Sequence, residues 1–435
     1  MNKKFCVILG YGDRSEKYSD YAFSHPEELQ VIAVIDIAKH KLEKAKKVFG
    51  LDHGMLFNSL DEFLAKGIKC DFVINGTMDQ LHYETSIKLL NGGYNLLLEK
   101  PITANSVELK KIQWLANERG LKVIVCHVLR YTRFYSRIKE IVASGEIGKV
   151  ISIEMNEHIW HGHFINAYVR GKWRREEECG SGLLLAKCCH DTDLMCWLNS
   201  DTTPKYISSF GSRSQYIPEN APEGSTEYCY DCPKKDECLF NAYDFELKKD
   251  FCPQYTWAGL NKPLSEIKEE EKKEFLRKDV YGKCVYKTDM DIVDRQSVSV
   301  EFEDGSIATL NMIGGTTLAG RHIHIVGNRG EIDGYIEENK FVLTKYFNCE
   351  KEEDLKENSI VYDLDKEYAL KDVNQSISGH YGGDYFIMRD LLALLRGESS
   401  SLSTTDINDS VNGHIICYAA EKSRKEKRIV PFNEI

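Results

Sequence analysis

The first 128 residues alternate short apolar runs with segments of helical character, and that alternation limits the fold more than any other feature. The runs lie at residues 5–10, 30–36, 71–76, 94–98 and 122–127. Between them stand Lys39–Phe49, Leu60–Ala65, Leu81–Asn91 and Val107–Arg119, whose composition suits helices. Strands separated by helices cannot close as hairpins; they pair in parallel through crossovers. The pattern predicts an α/β unit over residues 1–128: a doubly wound parallel sheet of Rossmann type.

Beyond residue 128 the pattern changes. Strand-like runs dominate at Val150–Trp160, Lys205–Gly211, Gln296–Phe302, Ser306–Met312, Arg321–Val326 and Lys340–Tyr346. Glu303-Asp304-Gly305-Ser306 separates two of them and has the composition of a hairpin turn. Residues 129–435 therefore read as a second, α+β domain with a large, open, mainly antiparallel sheet. Helices are expected from Leu184 to Trp197 and from Asp384 to Leu395. Residues 214–291, rich in turn residues and cysteine and holding the run Glu269–Glu274, read as an insertion on that domain. One face of an open sheet needs covering, so a homo-oligomer, dimer or tetramer, is expected.

Charge and hydropathy exclude some partners. The formal net charge of -11 argues against nucleic acid, which needs clustered Lys and Arg. No apolar run approaches membrane-spanning length. The apolar core of Met1–Gly10 is too short for a signal peptide and runs into a glycine turn, so it reads as the first strand. A cytoplasmic location is expected, with reduced thiols.

Gly10 and Gly12 follow the first strand, where glycines permit a tight turn and close approach of a pyrophosphate to a helix N-terminus. Ser15 stands where a third glycine is usual. Asp36 ends the second apolar run, in place to accept hydrogen bonds from an adenosine ribose. It would repel a phosphate there, and the next residue is Ile37 rather than Arg, so NAD is favoured over NADP. Leu97-Leu98-Glu99-Lys100-Pro101 ends another strand and puts a lysine where a nicotinamide ring would lie.

Together with Asp71–Thr77 followed by His82, with Ser144-Gly145-Glu146-Ile147-Gly148 and with His190-Asp191-Thr192-Asp193, these residues resemble the Gfo/Idh/MocA oxidoreductase family over nearly the whole chain. The resemblance implies hydride transfer between NAD(P) and a sugar or polyol carbon. It implies a cofactor site of Gly10, Gly12, Asp13, Arg14, Asp36, Ile37, Thr77, His82, Glu99, Lys100 and His127, and a cis Lys100–Pro101 bond. Lys100 would touch the reacting hydroxyl, and His190 matches the catalytic histidine. Where the family often has Asp, four residues before that histidine, this chain has Ala186. Lys187 shares the helix face of His190 and is a third acid/base and substrate candidate, unless it merely pairs with Asp191. Asp193 is expected to orient a backbone group or the histidine.

The segment His161–Arg174 is dense in polar aromatic residues and follows the first strand of the second domain. Tyr168, Arg170 and Trp173 are its substrate-binding candidates, with His380 a further residue at the pocket's border. Cys229, Cys232 and Cys238 form C-x2-C-x5-C, with Cys252 and Cys284 beyond. Such spacing suits a structural zinc site on Cys229, Cys232, Cys238 and Cys284, with Cys252 as alternate fourth ligand. An iron–sulfur cluster, plain reduced thiols and, were the chain exported, disulfides are the other readings.

The expected activity is that of an NAD-dependent dehydrogenase acting on a CH–OH carbon of a sugar, sugar acid or cyclitol. Two alternatives stand beside it: a glycoside-cleaving enzyme using transient oxidation and elimination, and a non-catalytic NAD or sugar sensor.

Overall fold

The computed structural model describes residues 3–346, 358–367 and 380–435. Six strands form the first sheet: β1 (Lys4–Leu9), β2 (Leu29–Ile35), β3 (Leu56–Phe57), β4 (Phe72–Asn75), β5 (Asn95–Leu98) and β6 (Val123–Val125). They are all parallel, in the order 3-2-1-4-5-6. Their central residues are apolar on both faces because helices cover both sides: Val7, Ile8, Val73, Ile74, Leu96 and Leu97 are fully buried. The carboxyl ends of β1 and β4 diverge where the strand order reverses, the usual crevice for a dinucleotide.

The second sheet has nine strands: β7 (Val150–Trp160), β8 (Pro204–Ser212), β9 (Arg295–Phe302), β10 (Ile307–Thr316), β11 (Gly320–Gly327), β12 (Gly330–Tyr335), β13 (Lys340–Lys345), β14 (Ser359–Asp363) and β15 (Val430–Pro431). Their order is 14-13-12-11-7-10-9-8-15, antiparallel except for β7 beside β10. The expected hairpin joins β9 to β10. Gly305 takes φ +84°, which Gly adopts at little cost, and Asp304 accepts from the Ser306 amide. Along β9 burial alternates strictly, so one face is packed and the other open.

Two helices cover the packed face: α1 (Leu183–Leu198) and α2 (Ile407–Glu426). Every residue of α1 except Lys187 is buried, as expected of a helix that is apolar nearly all round. The chain's last third also returns to the first sheet. Ile407, Val411 and Ile415 join its core on one side, and Ile387, Met388 and Leu391 on the other. Among the described residues no helix is long and apolar enough to cross a membrane.

Candidate active site

The site lies where the carboxyl end of the first sheet meets α1. Its cofactor end follows from three strand ends. Gly10, with φ +81°, lets the turn pass so close to Gly76 that a Cβ would sit 2.7 Å from its carbonyl oxygen. A Cβ on Gly12 would meet nothing within 4 Å, so the turn presents open backbone at the N-terminus of the Asp13–Ser19 helix. Ser15 is buried, its hydroxyl donating to Gly10 O at 2.7 Å; it fills the space that a third glycine would leave. Asp36 accepts from the Tyr11 and Ala38 amides, 2.8 Å each, which fixes its carboxylate at the end of β2. Ile37 beside it is 90% exposed. Asp13 is exposed and Thr77 is held to Asn75 Oδ1 at 2.9 Å.

Three expected cofactor residues are occupied within the protein. His82 is fully buried, its ring nitrogens 2.7 Å from Pro101 O and 3.1 Å from Thr77 O. It links the Pro101 loop to the Thr77 loop. Glu99 is 6% exposed and accepts from Arg14, from the Tyr18 hydroxyl and from the Lys100 amide. Arg14 beside it holds its carboxyl below the usual range although burial opposes this. The same Arg14 pairs with buried Asp384 and reaches His380 Nδ1 at 3.1 Å. Arg14 and Glu99 thus lock the first helix to the returning chain.

The reacting end is built by β5, α1 and β7. Lys100–Pro101 is cis. Lys100 Nζ donates to Ala186 O at 2.8 Å. The position that lacks the family's carboxylate therefore receives the lysine through its backbone instead. His190, one turn further along α1, is 6% exposed, and its Nδ1 has no hydrogen-bond partner among the described residues. Burial first, and then Lys100, holds this imidazole well below its ordinary pKa, so it is neutral at physiological pH. His127 is wholly buried against it, ring centroids 5.6 Å apart, and burial likewise keeps it neutral. The carboxylate of Asp193 serves Arg130 through two bonds of 2.7 and 2.6 Å and lies 3.7 Å from His127, not against His190.

Lys187 pairs with Glu157 of β7 at 3.3 Å, not with Asp191. Arg321 of β11 lies 2.8 Å from Glu157 and 2.9 Å from Asp191. Glu157 and Arg321 face each other across the β7–β11 ladder. His163 completes this side: burial, followed by Lys187 and Lys100, pushes its pKa down to about 3. Sequence reading did not select Glu157, Arg321 or His163. Only His163 had a signal, its place in the polar aromatic segment.

That segment divides. Trp173 donates from Nε1 to Asp79 at 3.0 Å, bridging to the first domain beside the cofactor loop. Tyr168 is 4% exposed, its ring 5.8 Å from His163 and 6.0 Å from Trp173, so it backs the site. Arg170 does not reach the site at all. It is fully buried under the insertion, paired with Glu246 at 3.3 Å and donating to the carbonyls of Lys283 and Phe240. A buried guanidinium needs such partners, and the insertion supplies them. Its expected substrate role is corrected to a structural one. As for the expected zinc ligands, no group of three or more His, Cys, Asp or Glu side chains stands in a metal-holding arrangement among the described residues.

Comparisons with known proteins agree with this geometry. Residues 4–127 match the model of an oxidoreductase family with an NAD-binding Rossmann fold, and residues 135–226 match the C-terminal domain model of the same GFO/IDH/MocA group. The chain belongs to the Gfo/Idh/MocA oxidoreductase family. As a member it is an NAD(P)-dependent oxidoreductase, and the Rossmann domain is its NAD-binding part. YteT of Bacillus subtilis is 24% identical over 377 residues, spanning 83% of this chain and 82% of that protein. The scyllo-inositol 2-dehydrogenase (NADP(+)) IolW of the same organism is 23% identical over 186 residues, 43% of this chain and 49% of its own. Levoglucosan dehydrogenase, solved with NADH and levoglucosan, superposes with a TM-score of 0.71 at 14% identity, covering 99% of this chain and 100% of that one.

Proposed function

We propose that this enzyme transfers hydride between NAD and a hydroxyl-bearing carbon of a sugar, sugar acid or cyclitol, with Lys100 and His190 in acid/base roles. The observation that carries the reading is the Lys100–Ala186 hydrogen bond, which brings a strand-end cation to the helix turn that bears a neutral, buried histidine. Oxidation of an alcohol needs the hydroxyl proton removed as hydride leaves. Neutral His190 can accept that proton, and the Lys100 ammonium stabilises the developing alkoxide. Lys187, the one residue of α1 that is not buried, is positioned to contact a substrate hydroxyl or carboxylate.

NAD supplies the hydride acceptor when bound. Gly10 and Gly12 bring backbone to its pyrophosphate and Asp36 takes the ribose hydroxyls, favouring NAD over NADP. The substrate class is supported by the relatives whose names carry levoglucosan and scyllo-inositol. A second copy covering the open sheet face completes the reading, because exposed Ile151, Ile307 and Phe210 stand there unpacked. The test is absorbance at the NADH band as purified enzyme and NAD+ meet sugars, uronates, inositols and glycosides. NADH accumulating with one class supports the reading. Product without NADH would instead indicate transient oxidation and elimination.

A further inference from the structure

The cysteines of the insertion are not absorbed by this chemistry. The insertion's own apolar cluster rests on Trp257, Leu276 and Tyr281, a small core for so long a segment. Against that stands a convergence of thiols. Cys229, Cys232, Cys238 and Cys284 line one enclosed void with about 10 Å³ of room for the centre of a water-sized sphere, enough for a single small occupant. Chain pairing brings them there: Tyr228 and Lys283 form an antiparallel bridge, and the Cys284 amide donates to Glu227 O at 2.9 Å. A tight turn then carries Cys229 into Cys232.

The backbone turns tightly after two of them: the Lys235 amide donates to Cys232 O at 3.2 Å and the Lys287 amide to Cys284 O at 2.9 Å. A cation stands against the cluster, with Arg170 Nη2 3.7 Å from Cys229 Sγ. None of the thirteen described cysteines is in a disulfide. Cys252 does not line the void; burial and Glu246 push its thiol up to about 11.

We propose that Cys229, Cys232, Cys238 and Cys284 form a tetrathiolate site for a structural zinc ion. Four thiols each release a proton to bind one Zn2+, with no change in oxidation state, and the thiol side chains rotate to close a tetrahedron with Zn–S bonds of about 2.3 Å. Four thiolates around a dication leave two negative charges, beside which the Arg170 guanidinium already stands. The site ties the start of the insertion to its end, and Arg170, in contact with Cys229, joins that staple to the segment bearing Tyr168 and Trp173. Tyr255 of the insertion then stands against Trp173, ring centroids 5.8 Å apart.

The test is metal analysis of the full-length protein purified without chelator, with zinc release by a mercurial followed in a chromogenic chelator. Cys238 is the least buried of the four, so Cys238→Ser disturbs packing least. We expect one zinc per chain in wild type and in Cys252→Ser, and its loss in Cys238→Ser. Refilling the wild type with Co2+ guards against a variant that does not fold: intense d–d bands and a thiolate charge-transfer band are expected. Wild-type protein that retains no zinc after incubation with it, iron in place of zinc, or zinc lost from Cys252→Ser but kept in Cys238→Ser would each overturn the proposal.

Discussion

Replacing Arg170 by Met separates the structural role found here from a substrate role. The side chain is fully buried and donates to Glu246, to Lys283 O and to Phe240 O. Its removal leaves the buried Glu246 carboxyl with the Thr256 hydroxyl alone and takes a donor from two part-buried carbonyls. Breaking a buried ion pair costs about 3–5 kcal/mol. Burial already pushes Glu246 up to about 7, so without Arg170 it takes up a proton rather than stay charged, and the loss falls at the low end, about 3 kcal/mol. The carbonyls add about 1 kcal/mol each. The deficit also depends on pH. In the wild type Glu246 is ionised in both folded and unfolded states above pH 7, and stability stops changing on its account. In the variant the folded carboxyl stays neutral while the unfolded one is ionised, so stability keeps falling by up to about 1.4 kcal/mol per pH unit. Denaturant and thermal melts should show a deficit about 1 kcal/mol larger at pH 8 than at pH 6. Glu246→Gln added to Arg170→Met should remove that pH dependence. An unchanged melt combined with a raised substrate KM would refute the reasoning and return Arg170 to the substrate.

Other expectations follow from the site. Asp36→Ser should raise KM for NAD by roughly 10–100-fold, the worth of hydrogen bonds to a charged group, and narrow the preference over NADP; steady-state kinetics with both cofactors checks this. With His190 held neutral by burial and Lys100, kcat/KM for oxidation should show no acid limb centred at pH 6.5, because protonation of this base is displaced well below it. An acid limb at that pH would argue against His190 as the base. Lys187→Ala should raise KM or lower turnover with the natural substrate, and near-normal values would confine it to its Glu157 pair.

The features legible in the sequence are those whose chemistry is local. Gly10, Asp36 and Lys100 each end a strand whose apolar run is unmistakable, so their neighbours in space are set by a turn of a few residues. The hairpin at Gly305 and the buried helix of α1 were legible for the same reason. The pairing of Lys187 was not. Its partner Glu157 lies on β7 and is shared with Arg321 of β11, and strand register cannot be counted from one sequence. Arg170 misled because its neighbours are polar and aromatic. Only the fold reveals that the insertion closes over it and supplies Glu246. The place of His82 between two carbonyls depends on how the Pro101 loop turns back, which the sequence does not show.

The central claim is that Lys100 at the end of β5 serves hydride exchange between NAD and a hydroxyl carbon. It is tested most directly by following NADH absorbance with the best substrate of the panel, for wild type and Lys100→Met, with NADH binding checked by fluorescence. The account predicts that Lys100→Met binds NADH like the wild type while its turnover falls by about 10²–10⁴-fold. Lys100→Met turning over at the wild-type rate would contradict it.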